Sequence, residues 1–325
     1  MNISRRTALM GGVASLLSVT THSAWSQAYP NRPIELVVPY PPGASTDLIG
    51  RILQPTLSAH LGQTIVIDNK GGASGNTGAA YVARSPADGY RLLLSTNSIT
   101  TINPHVIKAG SFDAYKGLTA VAQICSGPMG VAVRADSPVS TLQELVEWAK
   151  KNPGKLTFGT PGSGSPHHVM GELLQQQGNI SLVHVPYRGI GPAMTDLLGG
   201  SIDIVFSTLA GLSTHVAAGK VKVLAIGERK RFPGAPNIPT VSELFPDFYA
   251  SAWFGIYAPN GTPADIVDRV NKAVVAAVAR PDVQKRLIDA ALVPESGSPE
   301  AFAKLTTYDY ERWGKLVREK NIQAD

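Results

Sequence analysis

Ile34-Glu35-Leu36-Val37-Val38-Pro39-Tyr40-Pro41-Pro42-Gly43-Ala44-Ser45-Thr46-Asp47 is the stretch on which the fold turns. Five β-favouring residues run into three prolines and a glycine, which a sheet cannot continue. A helix then opens and runs to about His60, with Leu48, Ile49, Ile52, Leu53 and Leu57 on one face. The unit is a strand, a loop of small residues and a helix. In open α/β sheets, ligands bind at such carboxyl ends. The helix start offers unpaired N–H groups and a partial positive charge, which favour an anion. Tight βα connections of this kind also occur with nothing bound, so one loop is weak evidence.

The pattern recurs along the chain. Thr64–Asp68 reads as a strand entering Asn69-Lys70-Gly71-Gly72-Ala73-Ser74-Gly75-Asn76, then a helix through Ala83. Tyr90–Ser95 is a strand ending in Thr96-Asn97-Ser98. Val131–Arg134 precedes a helix opened by Ser140, with Gln143 placed for a capping box. Leu156–Gly159 leads into Thr160-Pro161-Gly162-Ser163-Gly164-Ser165-Pro166, with Pro166 suited to a first helical turn. Leu182–Val185 leads into Tyr187-Arg188-Gly189 and a helix to Leu198. Ile202–Phe206, Val221–Ile226 and Trp253–Tyr257 are further strands. Thr262-Pro263-Ala264-Asp265 opens a helix whose inner face is Ile266, Val270, Val274 and Val278, and helices at roughly 281–291 and 299–320 complete the chain. Strands alternating with helices predict α/β architecture. Three loops rich in Gly, Ser and Thr favour an anion cleft over plain connections.

Composition sets the outer bounds. The 325 residues carry 29 Lys+Arg and 24 Asp+Glu, a formal charge of +5, with 43% hydrophobic and 16% charged residues. That excludes global disorder and fits two domains better than one. The mild basicity, without a basic cluster interleaved with aromatics, excludes a nucleic-acid partner. Arg5 and Arg6, the uncharged stretch Thr7–Thr21 and the small residues around Ser26-Gln27-Ala28 make residues 1–28 a cleaved export signal. Ser4-Arg5-Arg6-Thr7 fits a twin-arginine signal as well as a general secretory one. The single cysteine, Cys125, permits no internal disulfide and is expected to be buried and inert.

Enzyme and cofactor motifs are missing. There is no Gly-x-Ser-x-Gly, and each Gly-Lys pair is followed by Leu or Val, so no phosphate-binding P-loop exists. Gly72, Gly75 and Gly78 are spaced wrongly for a dinucleotide fingerprint. His167 and His168 are adjacent, so on a helix they diverge and cannot share a metal as an i, i+4 pair does. No cofactor and no metal site is expected. Trp253 reads as core or hinge packing, while Tyr40 and Tyr187 could wall a ligand pocket. Arg188 could pair with a carboxylate or simply face solvent. Asp47 and Asp88 read as turn and cap residues.

Taken in order, 39–47, Asn69 to Gly75, Ala87-Asp88-Gly89-Tyr90, Gly162-Ser163-Gly164-Ser165-x-x-His168, Val185-Pro186-Tyr187-Arg188-Gly189 and Ala258-Pro259-Asn260-Gly261-Thr262-Pro263 carry a resemblance. The chain from Tyr29 to about Val317 resembles the extracytoplasmic solute receptors of tripartite tricarboxylate transporters, the Bug family. The resemblance implies a two-domain, type II periplasmic binding protein-like fold, with the ligand cleft between domains joined by two crossing strands. Domain 1 would comprise 29–129 and 253–325, and domain 2 would comprise 130–252. One ligand carboxylate would be held by Ala44, Ser45, Thr46, Ala73, Ser74 and Gly75 through backbone N–H groups and waters. Ser163, Gly164, Ser165, His168 and Tyr187 would close over it, with Tyr40 beside them. Ala44 and Ser74 stand where the family usually has glycine, so the ligand's identity does not carry over. The implied role is a monomeric periplasmic receptor, not an enzyme. It would deliver a small organic carboxylate (a di- or tricarboxylate, an acidic amino acid or an aromatic acid) to one small and one large permease subunit. An enzyme on this scaffold lacks any nucleophile–base constellation. A sensor presenting its ligand to a signalling protein would look the same in sequence.

Overall fold

The computed structural model describes residues 29–107 and 112–323, so the export signal read in residues 1–28 lies outside the described residues. β1 (Ile34–Val38) feeds α1 (Ser45–Leu61), and β2 (Ile65–Asn69) feeds α2 (Asn76–Ala83). β3 (Arg91–Thr96) runs into a π-helical turn at Ser98–Ile102 and the short helix α3 (Asn103–Val106). After α4 (Ala114–Gly117) comes the long strand β4 (Leu118–Arg134). The next part alternates: α5 (Leu142–Lys151), β5 (Thr157–Thr160), α6 (Pro166–Gly178), β6 (Val183–Pro186), α7 (Ile190–Gly199), β7 (Ile204–Thr208), α8 (Leu209–Ala217) and β8 (Val221–Ile226). The chain closes with β9 (Ser251–Pro259), α9 (Ala264–Val278), α10 (Pro281–Asp289), β10 (Val293–Pro294) and α11 (Pro299–Glu319).

The strands follow the order β2-β1-β3-β9-β4-β7-β5-β6, with β10 and β8 pairing to β4 off this path. β1 pairs in parallel with β2 and β3, and β5 pairs in parallel with β6 and β7. β4 unites the two halves. Its residues Leu118 to Pro128 pair with β9, and Met129 to Arg134 pair with β7 and β8. A second crossing lies beside it, where Gly227 N–H donates to the Met129 carbonyl (2.8 Å) and Ala250 N–H donates to the Gly227 carbonyl (2.9 Å), just before β9.

Each half has its own core. Along β1, Ile34, Leu36 and Val38 pack with Ile49, Ile52 and Leu53 of α1 and with Val270 and Val274 of α9, while Val37 turns to the opposite face and joins Trp253, Tyr257 and Phe302. That alternation is the period of two along a strand. Each such side chain, fully buried, contributes about 1.5–3 kcal/mol. The other half centres on Phe158, Phe206, Val131 and Met170. α11 serves both: Phe302 packs in the first half, whereas Trp313, Leu316 and Val317 pack with the second.

Three expectations need correction or refinement. The capping box opens at Thr141 with Glu144, one residue later than Ser140 and Gln143, because Thr141 has the extended backbone of a cap and its side chain accepts from Glu144 N–H. The first thirteen residues of β4, Leu118 to Gly130, were not expected as strand. Thr262 does not cap α9; its hydroxyl donates to the Pro259 carbonyl at 2.8 Å, and Pro263 takes the cap position without a side-chain bond. Cys125 and Trp253 are fully buried, as expected of core residues.

Candidate functional site

The parallel strands of both halves deliver their loops at carboxyl ends, and hydrogen bonds draw those loops together. Asn69, at the end of β2, donates its side-chain amide to the Tyr40 carbonyl and to Asp47 Oδ1, both at 3.1 Å. Asp47 Oδ2 accepts from Gly43 N–H (3.0 Å) and Arg51 Nε (2.9 Å). Arg51, with Gly43 and Asn69 adding, holds the Asp47 carboxyl down at about 2. Asp47 is therefore the turn residue the sequence suggests. It folds the 39–45 loop back over α1 and ties it to β2.

α1 begins without a side-chain cap. Ala44 occupies the N-cap with extended backbone and offers no acceptor to the N–H groups behind it. Ser45 and Thr46 form the first turn. The Thr46 hydroxyl is buried and has no hydrogen-bond partner. An alanine at this position leaves the positive end of a 17-residue helix open to an anion.

The connection after β2, tied to the 39–47 loop through Asn69 and Tyr40, carries a run of left-handed backbone: Gly72 at φ 122°, Ala73 at 48°, Ser74 at 54° and Gly75 at 91°. Only the glycines adopt this conformation without strain, so Ala73 and Ser74 must be held there. Tyr40 and Asn103 hold Ser74. The Tyr40 hydroxyl lies 3.5 Å from the Ser74 carbonyl oxygen, and the Asn103 side-chain amide donates to it at 3.1 Å and to Asn76 Oδ1 at 3.0 Å. Gly75 is the N-cap of α2, again without a side-chain cap, and a Cβ there would lie 2.5 Å from Ile99 Cδ1 and 3.3 Å from Tyr40. Successive amides in a left-handed turn form an anion-binding concavity. Tyr40, Ala44, Ser45, Thr46, Ala73, Ser74 and Gly75 therefore lie on two neighbouring segments, the connections after β1 and β2.

In the second half, Tyr187 N–H donates to the Thr160 carbonyl (3.0 Å), which brings the loops after β5 and β6 side by side. Ser163 lies in the loop between β5 and α6. Ser165 caps α6 by accepting from His168 N–H at 3.2 Å. Gly164 sits at φ 71°, and its N–H donates to His168 Nδ1 at 3.1 Å. His168 is therefore placed beneath the loop and not on its surface. It is 7% exposed, and its ring stacks on His184 at 3.7 Å. The neighbouring His167 is pushed down to about 4 by burial. Tyr187 offers its ring face, since its hydroxyl donates to Asp196 Oδ2 at 2.7 Å; burial, then this carboxylate, push it up to about 12. Arg188 is exposed. The two halves meet at this loop: a Cβ on Gly164 would lie 3.1 Å from Val106 of α3.

Sequence reasoning missed Asn103 and Asn97. Asn97 is 1% exposed, donates to the Ser251 carbonyl at 2.8 Å and leaves Oδ1 buried without a partner. The Asn103-Pro104 pair, a turn signal, could have drawn attention to the third loop. Among the described residues, no group of three or more His, Cys, Asp and Glu side chains could hold a metal ion, and no helix is long and apolar enough to cross a membrane.

A two-half α/β scaffold whose parallel strands end, in each half, in loops of small residues is the architecture of a solute-binding protein. The chain belongs to the tripartite tricarboxylate transporter family receptors, whose family model matches residues 49–322. It is 32% identical to protein BugT of Bordetella pertussis over 98% of each chain. Among solved structures it is similar to an R. palustris protein with adipate, at 32% identity and TM-score 0.76, over 91% of this chain and 99% of that one. MatC from Rhodopseudomonas palustris with bound malate is 29% identical at TM-score 0.71, over 89% of this chain and all of that one. The family consists of solute receptors and not of enzymes.

Proposed function

We propose that this receptor binds a small dicarboxylate in the cleft and delivers it to a tripartite tricarboxylate-type permease of one small and one large subunit. The observation that carries the reading is the pair of open anion sites in the first half. The start of α1 has no side-chain cap, the Thr46 hydroxyl in its first turn is buried without a partner, and the left-handed 72–75 turn is tied to the same loop through Tyr40 and Asn69. One carboxylate sits between them, held by backbone N–H groups and hydroxyls. Ser163, Gly164 and Ser165 close on the other end, His168 sets the Gly164 amide, and the Tyr187 ring forms a wall. The adipate and malate held by the two R. palustris proteins support a ligand of this class. The reading places the receptor in the periplasm as a monomer, after removal of residues 1–28. Its domains are 29–129 with 253–325 and 130–252, the end of α11 reaching across to the second.

Charge-assisted bonds contribute about 1.5–3 kcal/mol each, so a few reach the ~8 kcal/mol of micromolar binding without a dedicated arginine. A thermal-shift screen over C4–C6 dicarboxylates tests this. A ligand at about 100 times its Kd adds ~2.7 kcal/mol to stability, and a screen in which no carboxylate raises Tm contradicts the proposal.

A further inference from the structure

Gly164 is held by residues of both halves. In its own half its N–H donates to His168 Nδ1 at 3.1 Å, a bond buried from solvent. From the first half Val106 of α3 packs on it, three Val106 carbons lying 3.1–3.3 Å from the place a Cβ on residue 164 would take. The loop after β5 is thus seated against the other half through one glycine, and one imidazole nitrogen orients that glycine.

This bond decides the state of the ring. A backbone N–H can only donate, so Nδ1 keeps its lone pair and neutral His168 carries its proton on Nε2. Nε2 lies 3.7 Å from Glu172 Oε1, one turn on in α6, which is too far for a hydrogen bond of good geometry. The ring is 7% exposed and stacks on His184 of β6, with centroids 3.7 Å apart and planes 13° from parallel. The buried Thr160 hydroxyl gives its hydrogen to the Gly162 carbonyl (3.2 Å) and so accepts from His184 Nε2 (2.7 Å). The other charged and titratable groups come from two helices. In α6, Glu172 also accepts the Gln175 amide at 2.8 Å, and Lys320 at the end of α11 faces it at 3.8 Å. His167, next in the chain, is pushed down to about 4 by burial and stays neutral above about pH 5. β5 and the 161–165 loop carry no titratable side chain.

We propose that protonation of His168 at Nδ1 releases the Gly164 amide and unseats the closing loop from Val106, so that the receptor loosens its hold on the ligand as the medium turns acid. The proton comes from solvent and binds the Nδ1 lone pair; only the Gly164 hydrogen bond is broken. Two N–H groups then point at each other, and one must turn away. The imidazolium gains Glu172 as the counter-ion of its Nε2–H, so the ring stays and the loop moves. The stack admits one charge only, because two cationic rings 3.7 Å apart repel. The effect on affinity rests on the receptor reading; the exchange of partners at His168 does not.

NMR spectra of the ligand-free protein, labelled with 15N in the backbone and in histidine rings, follow both ends of the bond from about pH 8 to 5, the span over which an imidazole changes charge. At the upper end His168 should show a bare Nδ1 and a protonated Nε2. As pH falls, Nδ1 should take a proton while the Gly164 amide proton moves upfield with the same midpoint. The nuclear Overhauser contact between the Val106 methyls and Gly164 Hα should fade in step. His168→Asn offers Gly164 an oxygen that takes no proton, and should hold both signals fixed. Glu172→Gln should move the midpoint to lower pH. Calorimetry with malate and with adipate at about pH 7.5 and 5.5 should show the parent losing about 10-fold more affinity on acidification than His168→Asn, for which the ligand's own protonation is the same. The proposal is overturned if Nδ1 carries the proton at the upper end, or if the Gly164 and Val106 signals stay fixed while Nδ1 titrates. It is also overturned if parent and His168→Asn lose affinity equally. Should His168→Asn not fold, the spectra of the parent and of Glu172→Gln decide, an unmoved midpoint counting against the proposal. If neither acid binds at any pH, the receptor reading fails and the spectra still judge the proton.

Discussion

The side-chain amide of Asn103 and the carbonyl of Ser74 meet at 3.1 Å, and this one bond fastens the segment after β3 to the strained turn after β2. Ser74 at φ 54° would relax towards an ordinary conformation if released. Asn103, 4% exposed, supplies the restraint from a helix that takes no other part in the pocket's chemistry. The anion site of the first half is thus assembled from three successive βα connections.

Asn103→Ala should therefore act on both stability and binding. Truncation leaves Asn76 Oδ1 without its donor and the Ser74 carbonyl with only the longer Tyr40 contact, at a cost of about 1–3 kcal/mol. Urea unfolding should show that loss, and calorimetry with the best dicarboxylate should show affinity weakened about 10-fold. Unchanged affinity would mean that the 72–75 turn keeps its shape unaided.

Two neighbouring substitutions should have opposite signs. Ser74→Gly removes the left-handed penalty of a non-glycine residue, about 1 kcal/mol, and should raise or preserve Tm. Gly75→Ala places a Cβ 2.5 Å from Ile99 Cδ1 at φ 91°, so it should destabilise by about 1–3 kcal/mol. Equal melting temperatures for the two variants would contradict the conformation assigned to this turn.

The pH dependence of stability should carry two signatures. Asp47 is lowered from 3.8 to about 2, so its contribution is fully present above about 4 and is lost as pH falls through 2. Asp47→Asn should lower Tm at pH 7 but converge with the parent near pH 2. Glu228 is raised from 4.5 to about 7, so the folded state holds a proton that the unfolded state has released. Stability should fall as pH rises from about 4.5 to 7 and level off above. Glu228→Gln should remove that slope, which melts at several pH values will show.

Much of this was legible in the sequence because the signals are local. The strand of Ile34 to Val38, the proline-glycine stop and the helix face of Ile49, Ile52 and Leu53 declare themselves by period alone. The loops around 44–46, 73–75 and 163–165 stand out because small residues cluster at strand ends, whereas the individual ligand residues in them are named from the resemblance. Leu118 to Gly130 was not legible: Gln123, Ser126, Gly127 and Pro128 break the apolar run, and its strand character comes from pairing with β9, more than a hundred residues away. Asn103 and Glu228 escaped for the same reason. Each acquires its role from partners distant in sequence, Ser74 and Ser251. His168 was named from resemblance as a ligand residue, and only the fold shows its Nδ1 committed to Gly164 N–H.

The charge of the pocket gives a further test. Ser45→Asp puts a carboxylate at the open start of α1, where it favours the helix by about 0.3–1 kcal/mol while repelling an anionic ligand. Tm should hold or rise as dicarboxylate binding is lost. Arg188→Ala should weaken binding less, because that side chain is exposed. If Arg188→Ala eliminates binding and Ser45→Asp leaves it intact, a side-chain ion pair and not a backbone cradle holds the ligand.

The central claim is that backbone amides and hydroxyls of this cleft recognise a carboxylate. Calorimetric titration of the purified receptor with its best dicarboxylate, beside the mono- and dimethyl esters of that acid, tests it most directly. The account predicts saturable one-to-one binding of the acid and at least a 10-fold loss for an ester of the cradled carboxylate, one charge-assisted bond being worth more than about 1.4 kcal/mol. Equal binding of acid and diester would contradict it.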